Sequence, residues 1–196
     1  MLFRSRTHAG RAAESGVLAC LLAGKGFTGP LQAIDGAFGL THVFGGNTVN
    51  LAAIDADLGR AWAIGAVWIK VYPACGLIHS TLHAIERLRA EHRIDGPAVR
   101  AVTVRAGRRA VEQNGDPAPA EQMAAQYSIP YCAAVALTGD SRDPAAYAPD
   151  ALWKPDVRAM MPKVRMQIDE SIDALYPDHF GARVRIETAD GRSAET

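Results

Sequence analysis

With 196 residues, 48% of them hydrophobic and 21% charged, the chain has the composition of a globular protein and enough length for one generous domain, or one domain plus part of another. Lys and Arg together number 21, as do Asp and Glu, so no net charge draws it toward nucleic acid or anionic lipid. Its longest apolar runs, such as VLACLLAG, fall well short of the ~20 residues a membrane span needs.

In chain order, residues 1–5 (MLFRS) read as a non-native leader, because a helical pattern begins almost at residue 6 without a lead-in. Ala12, Ala13, Val17, Leu18, Leu21 and Leu22 recur at helical spacing across residues 8–23, with Gly24 and Gly26 as stop signals. After a GFTGP loop and a Gly-rich stretch from Gly36 to Gly46, TVNLAAIDADLG predicts a short helix ending at Gly59. From about Trp68 the pattern changes. AVWIKVY predicts a strand, and GLIHSTLHAIERLRAEH an amphipathic helix with Leu77, Leu82, Ile85 and Leu88 near one face.

VRAVTVRAG alternates, with Val102 and Val104 on one side and Thr103 and Arg105 on the other. A polar, Pro-rich link from Asn114 to Pro119 leads to a strongly apolar helix, roughly Glu121 to Leu137, interrupted by Pro130. KVRMQIDE and ARVRIETA predict half-buried strands that bury Val164, Met166 and Ile168, and Val184 and Ile186. Their charged outer faces suit an antiparallel sheet. The Asp-Gly after the last strand predicts a hairpin whose return strand would lie beyond the chain, so the sequence reads as an internal fragment. The order of elements predicts an α+β fold, not a doubly wound parallel sheet, with a boundary near residues 60–68.

Three cysteines, Cys20, Cys75 and Cys132, without CxxC spacing exclude a disulfide framework and a cysteine zinc module. With no secretory signal pattern, the expected location is cytoplasmic, with reduced thiols. The chemistry concentrates in KVYPACGLIHSTLHAIERL, residues 70–88, which is open to three readings. His79 and His83, four apart on a helix, could share a metal, although HSTLH lacks the Glu of HExxH and has no obvious third ligand. Cys75, just before a helix start, could be a nucleophile with His79 as base, or a small apolar residue. Alternatively Lys70, a tight turn at Pro73 and Gly76, and the N–H groups of the following helix could hold a carboxylate.

HAGRAAESGVLACLLAGKGFTGP, KVYPACGLIHSTLHA and AAQYSIPYCAAVALTGD, in this order and spacing, resemble the MmgE/PrpD family. That family includes 2-methylcitrate dehydratases, cis-aconitate decarboxylases and an iminodisuccinate epimerase. The resemblance implies that residues 6–66 are the C-terminal part of an all-helical domain. Residues 67–196 would be a two-layer α/β lid domain with a mainly antiparallel sheet, truncated at its end. It also implies a homodimer when full length, with the active site in a cleft and part of that site upstream of Met1. The implied activity is a cofactor-independent lyase, a dehydratase acting on a small polycarboxylate such as 2-methylcitrate. An epimerase or decarboxylase, or a lid fragment inactive by itself, are the alternatives.

Carried over by motif, Lys70, Tyr131 and His79 are the catalytic candidates, and Cys75, Gly76 and His8 the substrate-binding ones. No metal, nucleic-acid or membrane partner is expected. His83 and Glu86 are assigned to the helix surface. Ser5 stands where many relatives carry Lys.

Overall fold

Residues 8–24 carry alanine and leucine at helical spacing with only Val17 β-branched, and they form α1 (His8–Gly24), closed by N–H bonds from Lys25 and Gly26 back to Leu22 and Ala23. The computed structural model describes residues 7–196; the expected leader at residues 1–5, Ser5 included, lies outside them. Residues 7–68 and 69–196 form two compact units.

In the first unit α1 is followed by α2 (Leu40–Gly45), within the Gly-rich stretch. The helix expected from TVNLAAIDADLG does not extend beyond a 3-10 turn at Leu51–Ala53 and isolated turns up to Gly59, whose φ of +74° favours glycine. The Asp55 and Asp57 carbonyls accept turn bonds from Leu58, Arg60 and Ala61, so the chain runs in separate turns here and not as a continuous helix. The large apolar side chains of α1, Val17, Leu18, Leu21 and Leu22, are exposed.

The second unit is α+β. Residues 67–71 are not a strand: they pair with no ladder, and Val67, Trp68, Ile69 and Val71 are exposed. A run such as VWI carries no period-2 signal, and among the described residues it joins no sheet. A 3-10 turn at Gly76–Ile78 leads into α3 (His79–His92), which buries Leu82, Ile85 and Leu88 and ends where Arg93 turns left-handed at φ 51°. After it come β1 (Val99–Ala106), α4 (Arg108–Gln113), α5 (Gln122–Gln126), α6 (Ile129–Thr138), α7 (Pro155–Met160), β2 (Val164–Ile168), α8 (Glu170–Asp173), β3 (Ala182–Thr188) and β4 (Ser193–Glu195).

The expected single helix from Glu121 to Leu137 is two. Ser128 accepts the Tyr131 N–H at 3.1 Å as an N-cap, and Pro130 sits in the first turn of α6, where its missing N–H costs nothing. Pro130 opens a helix and interrupts none. Every residue of α6 from Ile129 to Leu137 is buried.

The sheet order is β2-β1-β3-β4. β1 pairs antiparallel with β3 (Val104 opposite Val184) and parallel with β2 (Val104 opposite Met166). The alternation of β2 does not reveal its direction; the long helical crossover from β1 permits the parallel arrangement. Within β2 only Val164 is fully buried, Met166 and Ile168 being half-buried. The return strand of the Asp-Gly hairpin is present as β4: Gly191 takes φ +86°, and Thr188 N–H reaches Arg192 O at 2.9 Å. Val102, Val104, Val164, Val184 and Ile186 pack on α3 and α6 as one core, leaving arginines and glutamates on the outer face. Among the described residues no helix is long and apolar enough to cross a membrane.

Candidate functional site

The stretch from Lys70 to His79 is irregular chain up to Ala74, so a β-ladder does not hold it and other groups must. Cys75 N–H donates to Gln126 O at 2.8 Å, and Lys70 Nζ reaches the Ala74 carbonyl at 3.1 Å, folding the ammonium back over the turn. Tyr72 and Ala74 point into the core and act as its anchors, while Lys70 is exposed. Cys75 is half-buried, and Gly76 is exposed with open space where a Cβ would stand.

His79 begins α3, half-buried, its ring edge-on to Tyr72 with centroids 5.2 Å apart. Its Nε2 is buried without a hydrogen-bond partner. Burial lowers its pKa; hydrogen bonding to the Ala74 backbone opposes this, and the Lys70 charge lowers it further. A neutral imidazole with one unpaired ring nitrogen therefore lies within the field of the Lys70 ammonium. No side chain caps α3. This arrangement can take up or deliver a proton and can neutralise an anion at one place.

Glu86 is not a surface residue, contrary to expectation. It is half-buried one helical stretch beyond His79 and accepts three hydrogen bonds: from Tyr72 OH at 2.9 Å, from Ser141 Oγ at 2.7 Å and from Arg142 Nη2 at 2.7 Å. Arg142 also lies over the Tyr72 ring, 5.6 Å from its centroid. Burial raises the Glu86 pKa, but the bonds from Arg142, Ser141 and Tyr72 outweigh it and bring the carboxyl below its ordinary value. Sequence reading missed this group because its partners come from positions 72, 141 and 142; a carboxylate on the inner side of an amphipathic helix was the one available signal. His83, in contrast, is exposed on α3.

Tyr131 lies in α6, fully buried, and its hydroxyl donates to Ala146 O at 2.7 Å; burial pushes its pKa up to about 12. It packs beside Tyr147 at 6.0 Å, whose hydroxyl donates to Ser141 O at 3.2 Å. Cys132 is buried, with its thiol toward Ala125 O, and burial raises its pKa. Lys70, Cys75, Gly76 and His79 thus share one turn, whereas Tyr131 stands behind it in the core. His8 is the first residue of α1, in the other unit, and is exposed. Among the described residues no three His, Cys, Asp or Glu side chains converge as a metal-ligand set.

Two curated relatives from Aspergillus terreus, both named cis-aconitate decarboxylase, are 29% and 28% identical to this chain over 204 aligned residues. Each alignment covers 96% of the chain, which spans 42% of the relative's length. The family model for the MmgE/PrpD C-terminal domain matches residues 72–196, so it takes in Tyr72, the whole of α3 and the entire sheet. The chain belongs to the MmgE/PrpD family.

Proposed function

We propose that the full-length protein is a lyase acting on a small polycarboxylate, and that the Lys70–His79 turn forms one wall of its active site. The observation that carries this reading is the unpaired, buried Nε2 of a neutral His79 beside the Lys70 ammonium. Two chemistries fit the pair. In decarboxylation, a carboxylate leaves as CO2 and its bonding electrons pass to the carbon, which a proton then quenches. In dehydration, a base removes the proton next to a carboxylate and hydroxide leaves from the neighbouring carbon. Both develop negative charge beside a carboxylate, and an ammonium that bears on this charge stabilises it most in the transition state.

The names of the two relatives favour decarboxylation of a substrate such as cis-aconitate. Dehydration of 2-methylcitrate is the second reading, favoured by the family resemblance, with an epimerase behind it. In this proposal Lys70 stabilises charge, His79 moves or positions a proton, and Cys75 and Gly76 line the pocket. Tyr131 acts from behind: its bond to Ala146 helps to hold the segment that carries Ser141 and Arg142. Homodimerisation is part of the same reading, and His8 is kept in it only as a candidate carried over by the family motif. The test is turnover of the full-length protein with cis-aconitate, 2-methylcitrate, citrate and iminodisuccinate. CO2 release identifies the first reading and water loss or gain the second; turnover of none of the four removes both.

A further inference from the structure

We infer that Glu86, clamped by Ser141 and Arg142, is a positioning residue that sets Lys70 and His79 through Tyr72. This inference rests on the proposed function for its kinetic consequence but not for its geometry. The irregular segment 70–75 is tied to the rest of the unit by few backbone bonds, so a side chain must define its path. Tyr72 does so twice. Its ring is buried against His79, and its hydroxyl is held by Glu86 across fourteen residues of sequence. Lys70 stands two residues before Tyr72, and Lys70 and Ala74 are joined across it.

Glu86 in turn is fixed on both oxygens. Ser141 Oγ donates to Oε1 and Arg142 Nη2 to Oε2, while the same guanidinium lies over the Tyr72 ring. The ring therefore touches both Arg142 and His79. The loop bearing Ser141 and Arg142 is itself secured from the core, through Tyr147 OH on Ser141 O and Tyr131 OH on Ala146 O. A chain of contacts therefore runs from buried α6 to the exposed ammonium of Lys70. A half-buried carboxylate satisfied by three donors is costly to disturb, and it makes a rigid support for groups placed on irregular chain.

The experiment compares wild type, Glu86→Ala, Glu86→Gln and Tyr72→Phe in the full-length protein. It reads the His79 titration by NMR (assigned with His79→Gln) and kcat and KM on whichever substrate is turned over. Glu86→Ala should raise the His79 midpoint toward the ordinary imidazole value as the ring loosens and hydrates. It should also lower kcat by up to ~100-fold with little change in KM, because misplacing a catalytic group costs about that much. Glu86→Gln, which can still accept from Tyr72, should recover most of both. Tyr72→Phe keeps the ring and removes only the hydroxyl link, so it gives the same directional shift even if Glu86→Ala fails to fold. An unmoved His79 midpoint in Tyr72→Phe overturns the inference. A wild-type protein with no turnover overturns the lyase reading instead, and the titration still decides the role of Glu86.

Discussion

The Tyr72 hydroxyl donates to Glu86 Oε2 at 2.9 Å, joining a residue on irregular chain to the middle of α3. Because His79 lies between them in sequence and against Tyr72 in space, the bond closes a loop around the turn that carries the candidate chemistry. Glu86 keeps its charge in this setting, its pKa drawn below the ordinary value against the opposing effect of burial.

Replacing Lys70 with alanine should lower kcat/KM of the full-length protein by at least ~100-fold, the scale of removing one preorganised charge stabiliser. Arginine should restore little, since its planar fork does not occupy the place of a compact ammonium. Steady-state kinetics of the two variants check this, and near-normal turnover in Lys70→Ala would remove the residue from the site.

His79 gives stability a defined pH dependence. Its folded pKa lies below the 6.5 of a free imidazole, so native and unfolded states are both neutral above that value. As pH falls through 6.5 the unfolded chain binds a proton and the native state does not, so stability declines until the folded pKa is reached and then levels off. Unfolding midpoints across this window should show a shallower decline in His79→Gln than in wild type.

Tyr131→Phe tests whether the phenol works from within the core. The substitution leaves the Ala146 carbonyl without its donor and should cost about 1 kcal/mol or somewhat more of stability. Chemical denaturation measures that loss. A fall in kcat of several orders of magnitude at unchanged stability would instead assign the hydroxyl to the reaction.

Cys132 should resist alkylation in the native protein and become labelled only on unfolding. Its side chain is fully buried and its pKa is raised, so the reactive thiolate is scarce. Mass spectrometry after a native iodoacetamide pulse, compared with one in denaturant, provides the measurement.

Gly96→Ala should destabilise the second unit by about 1–3 kcal/mol. A Cβ at this buried position would run into the carbonyl of Leu137, which is backbone at the end of α6 and has no freedom to move aside. A lowered thermal midpoint with an unchanged native circular dichroism spectrum is the expected result.

Much of the fold was legible locally. The apolar spacing of α1 and α3, the alternation of β1, β2 and β3, and the Asp-Gly turn before β4 all act between near neighbours, and each forms where the pattern puts it. The Ser128 cap with Pro130 behind it was also a local signal, and read as a start it would have divided the expected helix in two. Residues 67–71 show the opposite case, since an apolar run becomes a strand only where it pairs with an edge, and among the described residues it pairs with none.

By itself, then, the sequence determined an α+β chain, a soluble-type composition, the turn at residues 70–79 as its most chemically loaded stretch, and a resemblance to a family. Tertiary structure alone decided that β2 lies parallel to β1, that Tyr131 is enclosed in the core, and that Glu86 faces inward to a tyrosine, a serine and an arginine. The physical reason is range. Periodicity and capping depend on residues a few places apart, whereas the Glu86 bonds span 14, 55 and 56 positions and exist only once α3, α6 and the loop after α6 have packed together.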